Sequence, residues 1–471
     1  MKQKTLGLFL LVALSVSSMI GGGIFNSPTD LIAKANPQTT LIAWIIGGLG
    51  VLSLVLVFQD LALRKPELKG GIYSYAREGF GDYVGFLSTW GYWLGGLLGT
   101  ISFFPLFFKT FNSLLPNASG VDPLVAFLLA SVVLWIITWI IALGVRDAGI
   151  VNAIVTIMKM SPLVLIILLG TAVFQTDIFF VPDWTSTLAA SGEATTAFDQ
   201  IRGAMGTILW CFLGVEAAVV LSNRAASQRV VARATVIGFF ITLTVYVAIS
   251  TLSMGIVGGK ELASAATPLS DVLARTVIGS AGAYVAKIGL MISVTGATLS
   301  WILLIVELPY LAARDGLMPR WFAVENRHGV PINSLLVNQI LIQIGLLSLL
   351  SEKLQATYFA IYSLSTSTML IPYLFSGMYA LKVYLNERET AGKIITALVA
   401  SLYSVFVIYA VGLLRLALTV IIFALGTLPY HIAKREKGNT YALHESGLAA
   451  SLIISGIAMS YAVTTGAIPL Q

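Results

Sequence analysis

The sequence predicts an all-α integral membrane protein: two five-helix repeats of opposite orientation, the first helix of each repeat broken, and about thirteen transmembrane helices in all. Three observations carry this expectation. The 471 residues are 57% hydrophobic and only 11% charged, where a soluble domain carries roughly 25% charged residues. Apolar stretches of membrane-spanning length recur along the whole chain. Two of these stretches contain glycines in mid-span, Ser18-Met19-Ile20-Gly21-Gly22-Gly23-Ile24-Phe25 and Trp210-Cys211-Phe212-Leu213-Gly214-Val215-Glu216. Lipid offers a backbone no hydrogen-bond partner, so a helix broken inside the bilayer needs a reason. Breaks at matching positions of two halves are the sequence pointer to a secondary transporter with its site at the midplane.

The spans are placed, in order, near 6–33, 40–63, 83–114, 123–144, 148–173, 198–222, 232–257, 280–308, 333–351, 356–384, 391–411, 413–433 and 446–467. The first apolar stretch is too long for a cleaved signal and lacks a small-residue cleavage site, so it is expected to stay as a helix. Charge sets the orientation. With Lys2 and Lys4 in the cytoplasm, the loops on that side hold Arg64, Lys65, Lys69, Arg77, Arg146, Arg224, Arg229, Arg233, Arg314, Arg320, Arg327, Lys382, Arg388, Lys393, Lys434, Arg435 and Lys437. The opposite side holds far fewer, and 174–196, without Lys or Arg, reads as an external loop. This follows the positive-inside rule and puts the C-terminus outside. Because five is odd, spans 1–5 (residues 1–173) and 6–10 (198–384) can form an inverted pair, with spans 11–13 (385–471) appended.

The chemistry-bearing residues cluster at the breaks. Gly21, Gly22 and Gly23 strip side chains from the point where the backbone leaves the helix. The amides at the next half-helix's start can hold a carboxylate; close packing of small residues is the structural alternative. Around Gly214 the freed carbonyls suit an ammonium group, and Glu216 follows at once. An ionisable residue inside a span is a functional candidate by default; an anchoring role for the broken helix is the alternative. Lys159 in span 5 and Glu307 near the inner end of span 8 join it, while Asp60 reads as interfacial. Trp210 and Trp301 lie deep in spans, away from the interfacial belts, and either can stack on a cationic group or fill space.

These motifs resemble those of the amino acid–polyamine–organocation superfamily, and within it the basic amino acid/polyamine antiporters, arginine–ornithine exchangers most of all. The resemblance rests on Ile20 to Phe25, Arg64-Lys65-Pro66-Glu67-Leu68 leading into Gly71-Ile72-Tyr73-Ser74-Tyr75-Ala76, Gly79 to Tyr83, Trp90-Gly91-Tyr92-Trp93, Trp210 to Glu216, Ser300 to Leu304, Arg314 to Pro319 and Gly329-Val330-Pro331. It implies a five-plus-five inverted-repeat fold and exchange of an amino acid for its metabolic product. By the same resemblance the substrate carboxylate meets Gly22 and Gly23, and its α-amino group meets carbonyls at Met19, Trp210 and Leu213. Trp210 is a gate, Trp301 packs on the substrate, Tyr92 lines the external side, and Ser363 stands at a side-chain-contact position. Glu216 couples protons to gating. Lys159 stands where sodium-coupled relatives of the fold hold a sodium ion. There are departures: Thr100 replaces an asparagine that reads a guanidinium, Gly95 and Gly96 are smaller than usual, and Phe103 follows one turn on.

The expected function is therefore antiport of an amino acid, a basic one in the leading reading, against a related amine or amino acid across the cytoplasmic membrane. Histidine/histamine, lysine/cadaverine, ornithine/putrescine and tyrosine/tyramine pairs stay open, as does a proton-coupled importer using Lys159 and Glu307. No metal cluster, nucleophile–base pair or phosphate loop is legible, which argues against an enzyme, a metal and a cofactor. The net charge of +6 sits in short loops and does not suggest nucleic acid. Cys211 is the one cysteine and lies in span 6, so neither an intrachain disulfide nor a disulfide-linked partner is expected. A monomer or homodimer surrounded by lipid is the expected state.

Overall fold

The structure is a computed structural model that describes residues 5–115, 120–351, 364–438 and 442–465. Its helices are α1 (Leu8–Met19), α2 (Gly23–Ile32), α3 (Pro37–Arg64), α4 (Ile72–Phe80), α5 (Asp82–Asn112), α6 (Pro123–Leu143), α7 (Val145–Val173), α8 (Thr176–Phe179), α9 (Ala197–Phe212) and α10 (Ala217–Val220). They continue as α11 (Gln228–Ile256), α12 (Gly259–Ser264), α13 (Pro268–Ala274), α14 (Gly279–Asp315), α15 (Ile332–Gly345), α16 (Leu364–Asn386), α17 (Ala391–Val411), α18 (Leu413–Glu436) and α19 (Leu443–Thr464). Among the described residues there is no extended sheet, only isolated bridges.

By length and composition, 11 of these helical segments can cross a membrane, or 12 when the bent pair α9–α10 counts as one. The expected span at 356–384 falls partly outside the described residues; its described part is α16. The chain is thus an all-α, multi-pass membrane protein.

Two gaps in helical structure fall where glycine interrupts the apolar pattern. Between α1 and α2, Ile20 leaves the helical region with ψ 80°. Between α9 and α10, Leu213 is extended with ψ 129° and the axis bends by 42°. Both gaps lie in the interior. α1 packs on α7, α11 and α14, and α10 on α11 and α14. The long helices α5 and α14 pack closely on each other and form one wall beside the breaks, with α16 also against α5.

The loop between α8 and α9 is held over the ends of the broken helices. Asn36, fully buried, donates through Nδ2 to the carbonyls of Trp184 (2.9 Å) and Thr187 (2.7 Å) and accepts from the Ala189 amide. At the opposite end, Arg64 bonds Asp60, Glu387 and Glu389, and so ties α3 to the α16–α17 connection. Its guanidinium holds the Glu387 and Glu389 carboxyls below the usual carboxylate range. Asp60 sits in this cluster, at the end of its helix.

Candidate functional site

The two breaks are built differently. Gly21, Gly22 and Gly23 are absent from the residues with positive φ; what they supply is room. A Cβ on Gly21 would lie 3.1 Å from Ala297 and 3.3 Å from the Phe103 ring, and one on Gly22 would overlap Leu106. On Gly23 it would lie 3.0 Å from Trp210 Nε1. Gly214 does need its freedom, with φ 103°, a region L side chains rarely adopt. Its missing Cβ would also lie 2.6 Å from Ser18 Oγ. Ser18 Oγ donates to the Gly214 carbonyl (3.0 Å), so the breaks touch.

Each break is braced by one buried ionisable side chain. Lys159 of α7 is fully buried and reaches the first break, where Nζ donates to the Ser17 carbonyl (2.9 Å), Ser17 Oγ (2.8 Å) and the Ile20 carbonyl (2.5 Å). Ser293 of α14 donates to the carbonyls of Ile20 (3.2 Å) and Gly21 (3.0 Å), completing the set between the first, fifth and eighth expected spans. At the second break the Glu216 carboxylate accepts from the Gly214 amide (3.1 Å), from the Tyr92 hydroxyl of α5 (2.6 Å) and from the Tyr373 hydroxyl of α16. All three partners are donors, which suits an acceptor-only carboxylate. Glu216 thereby links the break to two helices outside it.

Between the breaks lies a cavity of about 20 Å³, lined by Ser18, Met19, Gly21, Gly23, Gly96, Gly99, Phe103, Trp210, Leu213, Trp301, Ser365 and Met369. A water needs roughly 10–15 Å³ by this measure, so this conformation has room for a water and not for an amino acid. On one side stand the broken backbones with Trp210. On the other stands a wall from α5, α14 and α16. Trp301 donates from Nε1 to the Ser18 carbonyl (3.0 Å), and its ring lies against Gly96, where a Cβ would be 3.2 Å from it. Tyr92 packs on Trp301 with ring centroids 6.1 Å apart.

Of the residues singled out from sequence, Met19, Gly23, Gly96, Phe103, Trp210, Leu213 and Trp301 meet at this cavity. Gly22 points toward Leu106 and Val294, and Tyr92 sits behind Trp301 with its hydroxyl on Glu216. Thr100 does not line the cavity; buried, its hydroxyl donates to the Gly96 carbonyl one turn back (2.7 Å). Ser363 lies outside the described residues. Glu307 is far from the breaks in sequence and pairs with Arg224, Nε lying 3.0 Å from Oε1.

Sequence reasoning passed over Gly99, Ser365 and Met369 at the cavity, Tyr373 on Glu216, and Arg224 on Glu307. Gly99 is one turn beyond Gly95, in a run whose α-helical period would have revealed it. Nothing local marks Ser365 or Tyr373, which α16 brings to α5 and to the second break. Among the described residues, the wall opposite the breaks carries no charged side chain. The Ser365 hydroxyl donates to the Gly95 carbonyl (2.7 Å), which leaves its lone pairs to accept.

A sequence model of the amino acid permease family matches residues 6–429. Over 480 residues the chain is 37% identical to an arginine/ornithine antiporter of Pseudomonas aeruginosa, the match covering 99% of each. It is 34% identical to an L-lysine transport protein of Corynebacterium glutamicum over 99% of this chain and 97% of that one. It is 36% identical to an arginine/agmatine antiporter of Chlamydia abortus over 92% and 91%.

Proposed function

Because the chain belongs to the amino acid permease family, and is a membrane transporter and not an enzyme, we propose that it is an antiporter. It exchanges a basic amino acid for a related amino acid or amine by alternating access. Its relatives' names supply the substrate class. The observation that carries the reading is the cavity itself, where two broken helices meet under two tryptophans. The half-helix beginning at Gly23 offers amides and a positive dipole end to a carboxylate. Carbonyls near Met19, Trp210 and Leu213 offer acceptors to an α-ammonium. The side chain then extends between Trp301, Phe103 and Met369, where aromatic faces favour a cation.

In this reading spans 1–5 and 6–10 form the inverted pair, the N-terminus is cytoplasmic, and the protein resides in the cytoplasmic membrane. Glu216 governs gating: protonation puts a donor where Tyr92 and Tyr373 now donate, which loosens the second break. Lys159 takes the place of a sodium ion at the first break, so transport runs without sodium.

The test is exchange in proteoliposomes loaded with arginine, ornithine, lysine, histidine, tyrosine or their amines. Uptake of labelled arginine or lysine should accelerate with a basic substrate inside and be indifferent to sodium. Uptake insensitive to internal substrate but abolished by a protonophore would favour a proton-coupled importer instead.

A further inference from the structure

The segment leaving α10 ends in a second polar site, away from the cavity. Arg224 and Glu307 are 7% and 2% exposed. Arg224 Nε donates to both Glu307 oxygens, at 3.0 and 3.1 Å. Nη1 donates to the Gly329 carbonyl (2.8 Å), Nη2 lies 3.7 Å from Glu325, and Cζ sits 5.2 Å above the Tyr310 ring. The pocket is built and not improvised. Tyr310 donates to Glu325 (2.5 Å), and Asn326 Oδ1 accepts from the His328 and Val330 amides to shape the turn that aims the Gly329 carbonyl. A carboxylate, a carbonyl and an aromatic face around a planar fork are the partners a guanidinium asks for.

This pocket adjoins a polar vestibule of about 690 Å³, lined in part by Asn223, Leu311 and Arg314. Asn223 precedes Arg224, and Leu311 lies one turn beyond Glu307. The Arg224 carbonyl also accepts from the Leu6 amide (2.9 Å), and the Leu6 carbonyl accepts from the Ala226 amide (2.9 Å). Arg224 therefore holds the α10 exit to α14 through its side chain and to the segment before α1 through its backbone.

We propose that this pocket is a second guanidinium site, at the cytoplasmic mouth of the pathway, occupied by Arg224 when the mouth is closed and by the guanidinium of a cytoplasmic substrate when Arg224 leaves. The assignment of the face and of the substrate rests on the antiport reading above. The physical reason is charge pairing. Glu307 in a low-dielectric interior is costly to leave alone, so Arg224 departs readily only when another cation arrives. Opening is thereby tied to substrate on the inner side, which is what obligate exchange requires.

The experiment uses purified full-length Arg224→Ala and methylguanidinium as the probe. Methylguanidinium should raise the thermal midpoint of the variant saturably and leave the wild type, whose pocket is filled, unmoved. No shift in the variant, or the same shift in both proteins, overturns the site. Where Arg224→Ala is recovered only with methylguanidinium present during extraction, that dependence supports the site. Glu307→Gln then gives an independent reading. It should raise the half-saturating arginine concentration on the Arg224 face by about ten-fold or more, as expected for loss of a buried charged hydrogen bond. The opposite face should change little, and an equal change on both faces refutes the proposal. A wild type that exchanges no basic amino acid refutes the antiport reading, while the methylguanidinium result still judges the pocket.

Discussion

The first break is made by space and the second by a dihedral angle. At the first, three consecutive glycines stay out of the left-handed region and let Ala297, Leu106 and Trp210 come close. At the second, one glycine at φ 103° turns the chain. The bracing also differs in sign. A lysine from α7 satisfies carbonyls of the first break. A glutamate within the second break accepts from the Gly214 amide and reaches out to tyrosines on α5 and α16. A break braced from outside is held by its neighbours, here Lys159 of α7 and Ser293 of α14. A break carrying its own anion can trade partners as that anion gains a proton. The comparison teaches that two features which look alike in sequence, glycine in mid-span, are built and braced by different means; under the function proposed above, one is a fixed joint and the other a switch.

The largest effect is expected where the dihedral decides. Gly214→Ala should abolish transport and lower thermal stability, because the left-handed backbone costs about 1–3 kcal/mol and the new Cβ would press on Ser18 Oγ at 2.6 Å. Gly23→Ala, with normal angles and a 3.0 Å contact to Trp210 Nε1, should insert and fold yet bind substrate weakly. Equal loss of stability in the two variants would erase the distinction between a break made by angle and one made by room.

Next comes the external brace. Lys159→Ala removes the donor to Ser17 and Ile20 and should lower turnover about ten-fold, about 1.4 kcal/mol on the limiting step, with substrate affinity changed far less. Turnover and dissociation constant measured on the same proteoliposome preparation decide it. Full activity of the variant, or strict sodium dependence of the unmodified protein, would end the fixed-joint reading.

The switch is tested by Glu216→Gln. An amide donates from one end, so it opposes a tyrosine hydroxyl and loses a hydrogen bond worth about 1–3 kcal/mol when buried. The pH–rate profile should flatten while substrate affinity stays near normal. An unchanged profile with lost binding would make Glu216 a substrate ligand.

The smallest effect is expected at the roof shared by both breaks. Trp301→Leu removes the bond to the Ser18 carbonyl and an aromatic face, and should weaken binding of a cationic substrate by about 0.5–2 kcal/mol. Calorimetric titration that returns an unaltered dissociation constant would assign Trp301 to packing alone.

What was legible in the sequence follows from what lipid forbids. Membrane helices must satisfy their backbones internally, so span positions, the two breaks, the charged outliers Glu216, Lys159 and Glu307, and the deep tryptophans all stand out along the chain. Gly23, Trp210, Leu213 and Trp301 could be placed at one site because each sits on or beside a visible irregularity, and the motif resemblance pointed the same way. Thr100 shows the limit. The motif resemblance put it at the site, but a threonine in a helix can bond the carbonyl one turn back, and its hydroxyl does so. Gly99 could have been read from the helical period of its glycine run, but Ser365, Met369 and Tyr373 carry no local mark, since a hydroxyl, a thioether or a phenol in a span is ordinary.

The sequence by itself therefore determined the class of molecule, the spans, the breaks and which charges had to be accounted for, because these depend on composition and local backbone chemistry. Tertiary structure alone decided the partners. It set Tyr92 and Tyr373 on Glu216, Arg224 on Glu307, and α16 against α5. Each pairing joins residues far apart in the chain, and which buried donor meets which buried acceptor is fixed by how the helices pack in space and not by any periodicity along them.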